Sequence, residues 1–381
     1  MDLSKLSLLL TSICCLPFRL TWVVLLLMGC FTVQAAAQQP IVLLLSAAEQ
    51  TDDLANRQLV IGAKRLLPSD QLFKVVRVDD FQHFRAAWHA VEQLNPRLVI
   101  GPLHKSDVDA LIKLSPKFPV ISLNQSSLSH PLVWQFAWTP ESSVYQLALH
   151  LAEKNIVDLL SLSMNSRHAT RLVSSFLAVT DVKLVDRLIY LSSDQLTTGL
   201  YALTGYNKSR RRIQALEALL ETPLVAMPWL RQDVEALVLF APLADAVEVS
   251  QRVDYAWGQS FSLFWVDTGS NGLRDYVRSL PNWGRMKSFM PWYQVEAMQQ
   301  KRSVNDSFFT ALGEDAMRLA LIRLSHPSIN AQGFMQGARI QGSLGYLSKD
   351  TLQRIQLRLP LVWLGDGAVE VIDEDSFGVW Y

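Results

Sequence analysis

Apolar runs of strand length alternate with segments of helical period along this chain, and this alternation constrains the fold more than any other feature. Residues 41–45 are five consecutive apolar residues, as expected for a strand that is buried on both faces. In the next segment, 54–67, the apolar residues recur at helical spacing, and the two kinds of segment then continue to alternate. Such alternation is typical of a parallel sheet covered by helices, so we predict an α/β fold.

The alternation runs through the chain twice, which predicts two lobes. For the first lobe we expect strands at 41–45, 73–78, 98–101, 120–123 and 134–138, and helices at 54–67, 81–94 and 108–114. Thr139 is a suitable N-cap for a following helix, with Pro140 at its first position, so the chain should cross to the second lobe there. The length agrees with this division, because a single core rarely grows past roughly 250 to 300 residues and this chain has 381.

The same alternation of strand-length and helical segments restarts after residue 140 and predicts a second lobe. We expect strands at 158–163, 183–190, 236–241 and 261–266, and helices at 167–179, 212–220 and 244–257. Residues 269–283 predict a return connection, 308–324 a strong helix, and 333–371 a hairpin. We therefore assign 41–139 and about 268–330 to one Rossmann-like lobe, 140–267 and about 331–372 to the other, and 373–381 to a tail.

Residues 1–37 have the features of a targeting segment. Lys5 and Arg19 supply positive charge, and residues 20–28 form a short apolar run that small residues follow. At about nine to fourteen residues, this run is too short to span a bilayer comfortably.

Two processing sites compete in this segment. Residues 27–30, Leu-Met-Gly-Cys, resemble a bacterial lipobox, in which Cys30 would be lipidated, whereas Ala35-Ala36-Ala37 resembles an ordinary signal-peptide cleavage site. We favour the lipobox because Gly29 and Cys30 follow the apolar run directly. The expected location is the periplasmic side of the cell envelope, as an outer-membrane lipoprotein; the alternative is a soluble periplasmic protein.

Composition argues against several classes of function. The net charge is zero, with 35 basic and 35 acidic residues, which removes the electrostatic term that drives nucleic-acid binding. All three cysteines lie in the first 30 residues, so the body holds no disulfide or thiolate zinc site. The seven histidines have no metal-ligand spacing, and the nucleophile-elbow, dinucleotide, phosphate-loop and zinc-protease motifs are absent. We therefore expect a non-enzymatic protein with no cofactor and no metal.

Several short motifs, in their order along the chain, resemble those of a known family. They are Gly101-Pro102-Leu103, Leu123-Asn124-Gln125, 136–141 (Phe-Ala-Trp-Thr-Pro-Glu), 203–213 (Leu-Thr-Gly-Tyr-Asn-Lys-Ser-Arg-Arg-Arg-Ile), 231–236 (Arg-Gln-Asp-Val-Glu-Ala), 311–316 (Ala-Leu-Gly-Glu-Asp-Ala) and 342–348 (Gly-Ser-Leu-Gly-Tyr-Leu-Ser). Over about 41–372 the chain resembles the C-terminal domain of the penicillin-binding protein activator LpoA family.

This resemblance implies a type I periplasmic-binding-protein-like fold, with two lobes joined by several crossovers. It also implies an outer-membrane lipoprotein that stimulates a peptidoglycan synthase, a class A penicillin-binding protein, by contact. Family activators carry a helical-repeat domain between the lipid anchor and this domain. Only about ten residues separate Cys30 from Ile41 here, so we expect that domain to be lacking.

A small-molecule receptor, such as an amino-acid-binding protein of a transporter, is the competing function. Ligands of open α/β sheets bind at the carboxyl ends of strands. The predicted loops there offer six candidate ligand residues: Ser46, Asn124, Gln125, Ser126, Asn165 and Arg167. The alternative is that these residues only cap helices. Acids at 49, 52 and 53 would repel an anionic ligand at the first of these loops.

Two further groups are candidates for contact with a partner. Arg210, Arg211 and Arg212 would stand in the first turn of the predicted helix 212–220, where they oppose its dipole and favour a carboxylate partner. Trp283 and Trp292 lie near the predicted second return between lobes and could form a protein interface. The alternatives are a solvated face for the arginines and core packing for the tryptophans. Arg231 and Asp233 should brace the second lobe by charge-assisted hydrogen bonds.

Overall fold

Two mainly parallel sheets, each covered by helices, form the two lobes of the protein. The computed structural model describes residues 39–47, 52–137, 139–179, 182–226, 228–229, 231–257, 262–269, 272–301, 307–325, 340–349 and 354–373. Cys30, the alternative processing site and the tail from residue 374 onward lie outside the described residues.

The elements follow one another largely in the predicted order. The first part contains β1 (Ile41–Leu45), α1 (Asp52–Arg65), β2 (Phe73–Arg77), α2 (Phe84–Gln93), β3 (Leu98–Ile100), α3 (Lys105–Lys113), β4 (Val120–Ser122) and β5 (Val133–Phe136). The middle part contains α4 (Pro140–Glu153), β6 (Asp158–Met164), α5 (Arg167–Val179), β7 (Lys183–Tyr190), α6 (Ser193–Leu203), α7 (Tyr206–Leu220), β8 (Ala236–Ala241), α8 (Leu243–Trp257), β9 (Ser262–Asp267), α9 (Leu273–Ser279), β10 (Met286–Phe289) and α10 (Trp292–Gln300). The last part contains α11 (Phe308–Ser325), β11 (Ile340–Gln341), β12 (Tyr346–Lys349), β13 (Arg354–Arg358), β14 (Leu361–Gly365) and β15 (Ala368–Asp373).

The strand order of each sheet confirms the predicted α/β, two-lobed architecture. Lobe 1 has the order β11-β12-β13-β5-β4-β3-β1-β2, and lobe 2 has the order β15-β14-β10-β9-β8-β6-β7. All five residues of β1 and all six of β8 are buried, because helices cover both faces of the sheet at these central strands. The predicted hairpin is present, since β12 pairs antiparallel with β11 and β13, and β14 pairs antiparallel with β15.

The lobe boundaries differ from the sequence prediction after residue 267. The chain stays in lobe 2 through β10, which pairs parallel with β9, and through α10. Residues 340–358 then complete the sheet of lobe 1, and only 361–373 return to lobe 2. The reason is pairing across long sequence separations: β13 joins β5 and β14 joins β10, and neither contact is visible in local periodicity.

Two local predictions also require correction. Residues 269–283 contain α9 and a short turn of 3-10 helix, and they pack within lobe 2. The predicted helix 212–220 begins six residues earlier, at Tyr206, after Gly205 in the left-handed conformation with φ 78°. Ser209 is therefore inside α7, and its hydroxyl accepts a hydrogen bond from the Trp229 amide at 2.8 Å.

Helices α1 and α11 cross at a pair of glycines. A Cβ atom on Gly62 would lie 1.9 Å from the carbonyl oxygen of Thr310, and one on Gly313 would lie 2.4 Å from that of Leu59. Only glycine, which has no Cβ atom, allows the two helix backbones to approach this closely. The contact keeps α11 on lobe 1, where its apolar residues Leu312, Ala316 and Leu319 join the core.

Asp315 of α11 fixes a turn that touches both lobes. Its side chain is fully buried, and its two carboxylate oxygens accept the amides of Ser343 and Leu344 at 2.6 and 2.9 Å. Burial raises the pKa of Asp315 to about 6, although the two amides act in the opposite direction. The carbonyl oxygens of Ser343 and Leu344 then accept the amides of Tyr293 and Trp292, which begin α10 of lobe 2.

The last crossing between the lobes consists of two residues, Leu359 and Pro360, between β13 and β14. The Gln146 side chain of α4 binds the backbone where this crossing begins. Its amide nitrogen donates to the Leu357 carbonyl at 2.8 Å, and its amide oxygen accepts the Leu359 amide at 2.8 Å. Met290 adds a backbone hydrogen bond to the carbonyl of Pro360.

The glycine crossing predicts a large stability effect for one methyl group. In Gly313→Ala the new Cβ would meet backbone atoms, so the helices must separate, and we expect a loss of about 1–3 kcal/mol. Gly199→Ala in α6 is the matched control, since its Cβ would meet only the movable side chain of Leu188 in β7. Urea unfolding of both variants measures the difference. Equal midpoints for the two variants would contradict the proposed backbone contact.

Candidate functional site

The polar groups at the carboxyl ends of the lobe 1 strands are bonded to one another. Ser46 follows β1 and is buried, and its hydroxyl accepts the amides of Leu103 and His104, each at 3.0 Å. The Asn56 side chain donates to the carbonyl of Ser46 at 3.3 Å. Ser46 therefore joins the loop after β1 to the loop after β3.

The loop after β4 is tied to the same place. Asn124 donates its side-chain amide to the carbonyl of Leu103 at 2.9 Å and accepts the amide of Gln125 at 2.9 Å. Ser126 is buried, donates its hydroxyl to the Asp109 carboxylate and accepts the Leu128 amide at 2.9 Å. These two candidate ligand residues thus brace the loops of lobe 1, without capping a helix.

The remaining candidate ligand residues lie on the surface. Gln125 is exposed at the end of β4, and Asn165 and Arg167 are exposed beyond the carboxyl end of β6 in lobe 2. Whether Asn165 and Arg167 hold a ligand against lobe 1 stays a prediction.

A cavity of about 470 Å³ lies at the junction of the lobes, next to the carboxyl ends of β4, β5, β10 and β13. Lobe 1 contributes Gln125, the chain around Ala137 and residues 355–358 of β13, and lobe 2 contributes α4 together with Phe289 and Leu361. Its polar lining residues are Gln125, Thr139, Glu141, Ser142, Tyr145, Gln146, His150, Glu153, Gln356 and Arg358. Gln125 is the one candidate ligand residue among the lining residues. The other lining residues could not be predicted from the sequence, because they come from elements more than 200 residues apart.

Several polar groups of the cavity already have partners. Glu141 forms an ion pair with Arg171 at 2.6 Å, and Gln146 binds the crossing strand as described above. The His150 ring packs edge-on against Phe264 and Phe289, with centroids 5.9 and 6.0 Å apart. The cavity can therefore enclose a small molecule, but many of its polar groups serve the junction itself.

The two tryptophans proposed as partner contacts are core residues. Trp283 is 4% exposed, donates its indole N–H to the Ser279 hydroxyl at 2.9 Å and packs 5.2 Å from Trp265. Trp292 is 6% exposed and meets Tyr346 edge-on at 5.9 Å. The interface prediction for these residues is wrong, because the second-lobe core between α8, α9 and α10 encloses them.

The arginine run lies on the surface of α7. Arg210, Arg211 and Arg212 are all exposed, at the fifth to seventh residues of the helix and not in its first turn. Arg231 behaves as predicted: its guanidinium binds Asp233 at 2.7 and 2.8 Å and Asp186 at 3.2 Å. Hydrogen bonding to Arg231 lowers the pKa of Asp233 to about 2.

The most perturbed titratable groups are buried structural partners. Burial raises the pKa of Asp267 to about 6, and the Tyr276 hydroxyl donates to this carboxylate. Asp245 accepts the hydroxyls of Tyr190 and Ser193 at 2.7 and 2.9 Å. Within the part of the chain that the structure describes, no cluster of His, Cys, Asp and Glu could hold a metal ion. Over the same residues, every helix is too short or too polar to cross a bilayer.

Solved structures share this architecture. The LpoA C-domain from Haemophilus influenzae, described as a regulator of PBP1A, superposes with a TM-score of 0.59 at 16% identity, over 88% of this chain and 100% of that chain. Full-length LpoA from the same organism gives 0.57 at 15% identity over 88% of this chain, which spans only 59% of it. A "putative branched-chain amino acid ABC transporter" from Chromobacterium violaceum gives 0.54 at 17% identity, over 85% and 99% of the two chains.

At these identities the superpositions show the fold, which is the type I periplasmic-binding-protein-like fold that the motifs implied. No curated protein sequence matches the chain significantly. The family described as "LppC putative lipoprotein" matches residues 71–365, well over half of the chain. This chain belongs to the LppC lipoprotein family.

Proposed function

We propose that this protein is an envelope lipoprotein that regulates a peptidoglycan synthase, a class A penicillin-binding protein, through protein contact. Two findings support the proposal: membership of the LppC family and the fold of the LpoA C-domain, itself described as a regulator of PBP1A. The observation that carries the proposal is the hydrogen bonding at the carboxyl ends of the lobe 1 strands. In lobe 1, the Ser46 hydroxyl and the Asn124 side chain, which an amino-acid ligand would need, already bind backbone groups of the protein.

Freeing those groups for a ligand would be costly. The Ser46 hydroxyl satisfies two backbone amides, and Asn124 holds the carbonyl of Leu103. A buried donor or acceptor left without a partner costs about 1–3 kcal/mol. A ligand would have to replace several such bonds at once, which favours a surface that acts by contact over a receptor cleft.

The same reasoning supports a non-catalytic role. A general acid or base must reach the proton that it transfers. Asp267, Asp315 and Tyr276 have raised pKa values, but Asp315 and Tyr276 are buried, Asp267 is half-buried, and all three are bonded to groups that hold the fold together. Perturbed pKa values also arise in structural networks, and these three belong to that class.

The lipid anchor at Cys30 and the placement in the outer membrane are further parts of the proposal. Metabolic labelling with palmitate should modify the wild-type protein in cells, and Cys30→Ser should abolish the label and release the protein to the soluble periplasmic fraction. Cys14→Ser and Cys15→Ser are the controls and should retain the label. A labelled Cys30→Ser protein, or a wild type that stays unlabelled and soluble, would favour the ordinary signal peptide.

Regulation by contact predicts a measurable effect on a purified synthase. Added to PBP1A in detergent, the chain should bind it and raise its rate of glycan polymerisation or peptide cross-linking several-fold, while showing no activity alone. The LpoA C-domain from Haemophilus influenzae serves as the comparison, and an unrelated periplasmic protein as the blank. Neither binding nor a change in rate with any class A synthase tested would refute the proposed function.

A small-molecule receptor is the second candidate function, and the cavity at the lobe junction is the observation that favours it. In thermal-shift experiments we expect no stabilisation by branched-chain amino acids or muropeptides, because the strand-end groups are occupied. A ligand at 100 times its dissociation constant would add about 2.7 kcal/mol of stability.

A positive result in this screen would be located with one variant. Ala137→Trp places a bulky side chain in the cavity and should abolish binding there. Stabilisation of the wild type that Ala137→Trp removes would establish the receptor function and reverse our preference.

A further inference from the structure

Helix α7 is an exposed element with an unusual surface. None of its fifteen residues is buried. The segment after it folds back along the helix, because the amide of Leu224 donates to Glu217 at 2.9 Å and that of Trp229 donates to Ser209 at 2.8 Å. We call α7 together with residues 221–226 and 228–229 the α7 hairpin. These bonds hold the hairpin in a defined shape, which a specific contact surface requires.

Apolar side chains are exposed at both ends of this hairpin. Leu219 is 78% exposed and Val225 is fully exposed, with Leu216 and Leu220 also at the surface, and Trp229, 70% exposed, lies at the other end beside Ser209. Single exposed apolar residues are common, but a group on one short element marks an interaction site. Tryptophan and arginine are enriched among the anchors of protein interfaces, and Trp229 lies at the end of the hairpin that carries the arginines.

The first half of α7 carries concentrated positive charge. Arg210, Arg211 and Arg212 follow Lys208 there, and cations this close together repel one another. Among the described residues, none of the three arginines has a carboxylate within 4.0 Å. The cluster stands out because the whole chain has zero net charge. Its electrostatic cost is removed if an acidic surface covers it.

Charge and apolar area are separated along the axis of α7 and not across it. A helix that lies in a membrane interface has an apolar face toward the lipid and a charged face toward water over its whole length. In α7 the arginines occupy 210–212 and the exposed leucines occupy 216–220, so the two kinds of surface stand end to end. This order fits a protein that offers an acidic patch beside an apolar one.

We infer that the α7 hairpin is the docking surface for an acidic protein partner, with the arginines binding carboxylates beside Trp229 and with Leu219 and Val225 filling an apolar patch. The identity of that partner as the synthase rests on the proposed function. Arginine suits this role because its guanidinium can bind a carboxylate through two hydrogen bonds.

Charge reversal tests the inference without a folding penalty. The three arginines are exposed and have no ion pair among the described residues, so Arg210→Glu, Arg211→Glu and Arg212→Glu together should change thermal stability little. Binding of the full chain to detergent-solubilised PBP1A should weaken at least tenfold. The wild-type dissociation constant should rise steeply with salt, and that of the triple variant should not. Leu219→Glu should weaken binding separately.

A matched control carries the same charge change on lobe 1. Arg85→Glu, Lys105→Glu and Lys117→Glu together reverse three exposed cations and should bind PBP1A as the wild type does. Failure of the wild type to bind would defeat the proposed function, whereas equal binding by wild type and the Arg210–Arg212 variant would defeat the docking surface alone. Binding of wild type, but not of that variant, to phosphatidylglycerol vesicles without any binding to PBP1A would assign the surface to lipid and overturn the inference.

Discussion

The two lobes depend on one buried carboxylate. Asp315 belongs to the core of lobe 1 through α11, yet the turn that it holds provides the acceptors for the first amides of α10 in lobe 2. A carboxylate is suited to this task because two oxygens can bind two successive amides. Gly342 must be small for the same reason, since a Cβ there would lie 2.6 Å from both oxygens. Without this clamp, the start of α10 would lose its attachment to lobe 1.

Elements with a strong local signal could be predicted from the sequence. The bounds of β1, α5, β7 and β8 agree with the prediction to the residue, and the capping box at Thr139 marks the first crossing. Here the apolar runs, the period and the caps all indicate the same element. Helix α7 was only partly found, because a helix without a buried face has no apolar period to detect.

The rest was decided by contacts between distant parts of the chain. Lys287 interrupts the apolar pattern of β10, which is a short strand. The sequence pattern of β13 and β14 predicts one hairpin region, although the two strands belong to different sheets. The prediction that Trp283 and Trp292 contact a partner was wrong for a similar reason. Only the packing of α8, α9 and α10 determines that the two side chains are enclosed. At the candidate site, the sequence identified the strand-end residues but could not show that they bind one another.

The two-residue crossing at Leu359 and Pro360 has a mechanical consequence. Receptors of this architecture close around a ligand by hinge bending, and hinges need residues whose backbone angles can change widely. Here proline fixes one angle, the side chain of Gln146 binds the backbone at Leu357 and Leu359, and the amide of Met290 binds the carbonyl of Pro360. Such a joint resists rotation. The protein should behave as a stiff body that presents a constant outline, whereas a solute receptor opens and shuts around its cargo.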